Sequence, residues 1–169
     1  AACGESAPTN TPAPAETDAG AAPGETADDA EKTYTVGICQ LVQHPALDAA
    51  TEGFKAALTE KLGDRVTFVE QNASGDAPTC AVICGQFVSD GVDLILANAT
   101  PALQAAMSVT ADIPILGTSV TDYATALDIS DWSGVTGKNI SGTSDLSPLD
   151  GQAEIIGELF PEAKTVGIL

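Results

Sequence analysis

The chain contains no run of eighteen apolar residues, so no segment is expected to cross a membrane as a helix. Cations are scarce: six Lys and Arg stand against 24 Asp and Glu, a formal charge of −18. Nucleic acid and anionic lipid surfaces are held mainly through Lys and Arg, so neither is an expected partner. Histidine occurs once, as His44, and no CxxC or Cys/His cluster has metal-ligand spacing, so no metal site is expected. Catalytic signatures are missing too. Neither GxGxxG after the first strand, nor GxxxxGK[ST], nor GxSxG occurs, which removes the local geometry of dinucleotide, nucleotide and serine-hydrolase chemistry. Cys39 ends a predicted strand, but a phosphatase-type loop needs Arg six residues later and that position is Pro45. A binder without cofactor, not an enzyme, is expected.

Residues 1–32 lack Val, Ile, Leu, Phe, Tyr and Trp altogether. Such a segment has nothing to bury and cannot offset its ordering entropy. Seven acids against Lys32 and scattered prolines predict an extended, soluble tether with a reach on the order of 30 Å. A thiol at its tip, Cys3, has no packing role. The context Ala1-Ala2-Cys3-Gly4 resembles the end of a bacterial lipobox, in which Cys becomes the lipidated first residue after removal of a signal peptide lying upstream of this numbering. Each buried acyl CH₂ contributes roughly 0.8 kcal/mol, so two or three chains on Cys3 anchor a protein firmly. The expected location is extracytoplasmic, lipid-anchored to the bacterial cell membrane; an ordinary flexible terminus is the alternative.

From Thr33 the chain is long enough for one substantial core. "TYTVGICQ" reads as a strand and "PALDAATEGFKAALTEKLG" as a helix with Leu47, Phe54, Leu58 and Leu62 on one face, closed by Gly63. "RVTFVEQ" is a second strand. Asp76 opens a helix that buries Ile83, Phe87 and Val88 and ends at Gly91, with Cys80 and Cys84 as small buried hydrophobes. "VDLILANA" has the continuous apolar character of a strand covered on both faces. Thr100 as N-cap with Pro101 at the first helical position starts a short helix to about Val109, and "IPILGTS" is the next strand. This β-α-β-α-β-α-β order predicts an α/β fold with a doubly wound parallel sheet. Beyond Ser119 a short strand is expected near Val135. Ser147-Pro148-Leu149-Asp150 is expected to cap a helix carrying Ile155, Ile156, Leu159 and Phe160, and "TVGIL" to begin another strand, cut off mid-run.

Ligands of open α/β sheets bind outside the carboxyl ends of the strands. Here those ends are "CQLVQHP", "NATP", "GTSVTDY" and "NISGTSD". The candidate contacts are Gln40, Leu41, Gln43 and His44 from the first, and Asn98, Ala99 and Thr100 from the second. Ser119, Val120, Thr121, Asp122 and Tyr123 come from the third, with Gly142 and Thr143 from the fourth. Of the cations only Lys138 is placed nearby, so a polyphosphate lacks partners, whereas a carboxylate can be held by hydroxyls and helix N-terminal N–H groups. Asp122 is positioned to pair with an ammonium. That combination suits a free amino acid. Each residue also has a plain alternative: His44 as a solvated loop side chain, Thr100 as an N-cap, Asp122 as a turn cap, and Trp132 as a packing residue.

The strings "YTVGICQLVQHPALDAATEGFKAAL", "VDLILANATPALQAA", "IPILGTSVTDY" and "NISGTSDLSPL" resemble the ABC-transporter substrate-binding proteins of the tryptophan/tyrosine-type (TrpX-like) group. The resemblance implies a type I periplasmic-binding-protein fold with two lobes closing on ligand. Residues 1–32 are then the tether, 33–142 the first lobe, and 143–169 a hinge crossing plus the beginning of an incomplete second lobe. The implied crossing lies at about Ile140 to Thr143. It further implies a small-molecule solute, an aromatic amino acid first, with an ABC permease and its ATPase as partners. Sugar importers of this fold set aromatic rings against the sugar, and here the first loop offers Leu41 and Val42, leaving Tyr123 as the aromatic wall. A sugar-binding importer component, and a ligand-sensing lipoprotein domain of the same fold, are the alternatives.

Overall fold

The computed structural model describes residues 32–167. Cys3 and nearly all of the expected tether lie outside the described residues, as do Ile168 and Leu169. Five strands alternate with helices: β1 (Tyr34–Gln40), α1 (Pro45–Leu62), β2 (Val66–Asn72), α2 (Ala77–Asp90), β3 (Leu94–Asn98), α3 (Thr100–Val109), β4 (Ile115–Val120), the single turn α4 (Tyr123–Ala126), β5 (Ile140–Ser144) and α5 (Leu149–Leu159). The sheet is all parallel in the order β2-β1-β3-β4-β5. Strand order reverses between β1 and β3, which makes their carboxyl ends the switch point of the sheet.

Both faces are built by period-two alternation. Val36, Ile38 and Leu96 point to one side, where Phe54 and Leu58 of α1 cover them. Cys39, Ile95 and Ala97 point to the other and pack with Cys80, Ile83, Cys84 and Phe87 of α2 and Leu103 and Ala106 of α3. The helices start and stop as their sequences direct. The Asp76 side chain accepts from Thr79 N at 2.9 Å to begin α2, and Gly91, at φ 66°, ends it in the left-handed conformation. Gly37 is required by packing, since a Cβ there would stand 2.6 Å from the Phe87 ring. Cys80 and Cys84 are free and buried, as expected of small hydrophobes, and Cys39 is free and buried beside them. A hydrogen bond with Cys84 and burial push the Cys39 thiol up, so it stays protonated.

Four expectations are corrected. No strand forms at Val135, which is 68 % exposed and stands between Gly134 and Gly137, both at positive φ; the next strand begins only at Ile140. Thr100 is the first residue of α3 and Ala99 its N-cap. Pro148, not Ser147, caps α5, and no side chain bonds its first turn. Thr165–Gly167 form no strand, for want of a neighbouring strand to pair with among the described residues. The apolar side chains Ile155, Ile156 and Leu159 of α5 and Phe160 at its C-cap are all exposed.

Candidate functional site

Parallel register brings the last residues of β2, β1 and β3 into one row with Thr118 of β4. Asn72 pairs with Gln40, Gln40 with Asn98, and Asn98 with Thr118. The connecting loops are stitched to this edge by the backbone: Leu41 N donates to Asn98 O at 3.2 Å, Ala99 N to Thr118 O at 3.0 Å, and Gly75 N to Leu41 O at 2.7 Å. The first three predicted strand ends are therefore neighbours, and Gly142 of the fourth pairs with Gly117 on β4.

Beneath this edge lies a polar network that fixes α1 to the switch point. Thr51 Oγ1 donates to Gln40 Oε1 at 2.7 Å and accepts from Asn98 Nδ2 at 2.9 Å. Asn98 Nδ2 also reaches the Leu47 carbonyl at 2.8 Å, and Gln40 Nε2 donates to Asp48 Oδ1 at 2.6 Å. Gln40, Thr51 and Asn98 are all buried. Both amides therefore brace the site from below, Gln40 while also lining the neighbouring cleft, and Asn98 Oδ1 has no partner among the described residues. Thr51 escaped the sequence reading. Its signal was a hydroxyl on the helical stripe of Leu47, Phe54 and Leu58, where an apolar residue belongs.

The remaining candidates divide by exposure. Gln43, His44, Thr121, Asp122, Gly142 and Thr143 are exposed; Leu41, Ala99, Thr100 and Ser119 are half-buried; Val120 is buried. His44 Nδ1 accepts from Ala46 N at 3.2 Å and so caps α1. Asp122 caps α4, accepting from Ala124 N at 2.9 Å and from the Thr125 hydroxyl at 2.6 Å. The Thr125 hydroxyl and the turn's N–H groups hold the Asp122 carboxyl below the usual range. Tyr123 is only 7 % exposed, with its hydroxyl on the Thr143 carbonyl at 3.2 Å, so it is not an open aromatic wall. Lys138 precedes β5, at the amino edge of the sheet, and its Nζ lies 3.6 Å from Met107 Sδ. A cavity of about 470 Å³ beside β5 is lined by Lys138 together with Tyr123 and Gly142.

Three turns at the carboxyl edge adopt conformations that non-glycine residues avoid: Ser74 at φ 54°, Ala99 at φ 94° and Ser119 at φ 54°. The last two open the loops after β3 and β4, and Ser74 lies in the loop after β2. The strained Ala99 also leaves α3 without a side-chain cap, whereas α1, α2 and α4 each have one. In the first turn of α3 Pro101 has no N–H and Leu103 N is bonded to Ala99 O at 3.1 Å, so Thr100 N and the buried Ala102 N are the donors left without an intrahelical partner. A cleft of about 680 Å³ opens next to the row, lined by Gln40, Val42, Gln43, Asp48, Glu52, Glu70, Asn72 and Ser74. Lys55 is held by Glu52 and Glu70 at 2.8 and 3.0 Å, which leaves the cleft's character acidic. No cluster of three metal-ligating side chains occurs among the described residues, and no described helix is long and apolar enough to cross a membrane.

A parallel sheet wound on both faces, with its polar loops gathered at one edge, is the architecture of the first lobe of a type I periplasmic-binding fold. The chain belongs to the ABC transporter substrate binding protein family, whose model matches residues 35–169. The role of that family is substrate binding. A tyrosine-binding protein of Clostridioides difficile (strain R20291) is 44 % identical over 144 residues, covering 83 % of this chain and 41 % of that protein. The ligand-free, open structure of a substrate binding protein with adhesive properties from Clostridium difficile shares 41 % identity with a TM-score of 0.68, over 78 % of this chain and 45 % of the other. An ABC domain from Streptococcus pneumonia in complex with L-Trp shares 34 % identity with a TM-score of 0.70, over 77 % and 44 %. The chain spans less than half the length of each of these relatives.

Proposed function

We propose that this chain captures an aromatic amino acid outside the cytoplasm and presents it to an ABC permease driven by a cytoplasmic ATPase. The observation that carries this reading is the uncapped start of α3, set at the switch point beside Thr100 and the strained Ser119 turn. It offers N–H and hydroxyl donors to one carboxylate. The names of relatives that bind tyrosine or L-Trp support the same class of solute.

In this reading the α-carboxylate meets α3, Thr100, Ser119 and Thr121. The ammonium meets Asp122, whose depressed pKa keeps it ionised, and the side chain lies against Leu41 and Val42. Residues 33–142 form the first lobe, the crossing lies at Ile140–Thr143, and residues from 143 onward begin the second. Cys3 carries the lipid anchor, and residues 4–32 the tether.

The test is a thermal-shift and calorimetric screen of the full-length protein against amino acids, sugars and nucleosides. Ligand at a hundred times its Kd stabilises the native state by about 2.7 kcal/mol, so a hit is plain. L-Tyrosine or L-tryptophan should give the largest rise in Tm, and Asp122→Asn should weaken it by roughly tenfold or more. A response to sugars alone would overturn the solute assignment. Detergent partition and acyl mass on the wild type, both lost in Cys3→Ala, test the anchor.

A further inference from the structure

β4 and β5 do not pair evenly. Gly117 faces Gly142 and Val120 faces Ser144, so Thr118 and Ser119 stand against Thr143 alone. This is a β-bulge with Ser119 at its positive φ. The Tyr123 hydroxyl comes in at the irregularity and bonds the Thr143 carbonyl at 3.2 Å. Space around it is closed: a Cβ on either Gly117 or Gly142 would run into the Tyr123 hydroxyl, and one on Gly142 also into the Gly117 backbone.

Two further bonds join the same segments. Ser144 Oγ donates to the Thr121 carbonyl at 2.7 Å, and Asp145 N donates to the Val120 carbonyl at 3.2 Å. Beyond Asp145 the chain leaves the sheet for α5, which is exposed on nearly every residue. Each backbone group of the loop after β4 that is bonded in this way holds the exit from β5. We infer that the bulge is a mechanical coupler: occupancy of the Ser119–Asp122 loop sets the direction in which the chain leaves β5, through Tyr123 and Ser144 as positioning residues. The inference rests on the ligand and crossing assigned under the proposed function.

The closed space leaves the loop little slack. A ligand drawn against Ser119 and Thr121 displaces the loop, and three bonds across a closed space pass that displacement to Thr143–Asp145 instead of absorbing it. Tyr123→Phe removes one bond and leaves the ring, and Ser144→Ala removes another. Ser144→Thr keeps the hydroxyl.

The experiment uses the full-length chain with L-tyrosine and L-tryptophan as probes. Calorimetry gives Kd, small-angle scattering gives the ligand-induced decrease in radius of gyration, and hydrogen exchange reports the amides of 143–145. The wild type should bind, compact, and gain protection at those amides. Tyr123→Phe and Ser144→Ala should each weaken binding about three- to tenfold and blunt both the compaction and the protection, with Ser144→Thr restoring them. A lower urea midpoint with wild-type compaction and protection would mean that both residues merely stabilise the lobe, and would overturn the coupler while leaving the binding reading intact. Failure of the wild type to bind either amino acid would overturn the binding reading, and the coupler with it.

Discussion

Replacing Thr51 by Val tests whether the polar network, and not apolar packing, fixes α1 to the switch point. The side chains are close in volume, and Thr51 is 1 % exposed, so the change removes a hydroxyl without opening a cavity. It deletes the 2.7 Å bond to Gln40 Oε1 and the 2.9 Å bond from Asn98 Nδ2. Asn98 Nδ2 keeps the Leu47 carbonyl at 2.8 Å, but Gln40 Oε1 is left with a 3.4 Å contact to Asn98. Two net hydrogen bonds are worth about 2 kcal/mol, and an under-satisfied buried amide oxygen brings the expected loss to about 2–3 kcal/mol. Thr51→Ser keeps both bonds and sheds one methyl group, for about 1 kcal/mol. Urea unfolding of the ligand-free protein separates them, since 2 kcal/mol moves the midpoint by about 1 M at a slope near 2 kcal/mol/M. Were packing the main constraint, the more apolar Val would match or exceed wild-type stability. That result, or a Ser variant weaker than the Val variant, refutes the network's role.

Two other outcomes follow from the geometry. Gly37→Ala should lower stability by about 1–3 kcal/mol in urea unfolding, because its Cβ meets a Phe87 ring that is fully buried and has no room to retreat; Phe87→Leu in the same chain should recover part of the loss, as a non-additive double-mutant cycle. Asp122 has a folded pKa below its unfolded one, chiefly through the Thr125 hydroxyl, so its contribution is present above the unfolded pKa and lost as pH falls through the folded value. Measured against Asp122→Asn, which cannot titrate, the wild type's urea midpoint should fall selectively below about pH 4, and a constant difference between about pH 7 and about pH 3 would refute it.

β1 to β4 and α1 to α3 were legible because each carries its own complete set of signals. Strands had apolar runs, α2 had Asp76 in front and Gly91 behind, and the alternation then required a doubly wound sheet. β5 was not readable as a sheet strand in that way. "ISGTS" has one apolar residue, and its pairing is an edge contact set by the β4 backbone, so local composition pointed to Val135 instead. The start of α3 was misplaced by one residue for a related reason. The bond from Ala99 N to Thr118 O, which holds an alanine at φ 94°, is made across the finished sheet and has no local trace.

The site shows the same division between what topology fixes and what pairing fixes. Topology alone located the loops, since the carboxyl ends of parallel strands are where helix N-termini converge. Which side chains face outward depends on parity, and parity was in the sequence. Gln40 shares its face with Val36 and Ile38, and Asn98 shares its face with Leu94 and Leu96, so both amides turn toward α1. A helix that meets two buried amides must answer them with polar groups of its own. Thr51, one turn along the stripe from Leu47, is that answer, and Asp48 beside it takes the outer amide hydrogen of Gln40. The burial of Tyr123 had no such local trace, because Gly117 and Gly142 make room for its hydroxyl only once β4 and β5 lie side by side. Residues that contact ligand by virtue of loop position are therefore readable early. Those that hold the loops in place become readable when the period-two pattern of each strand is carried through to the helix that covers it.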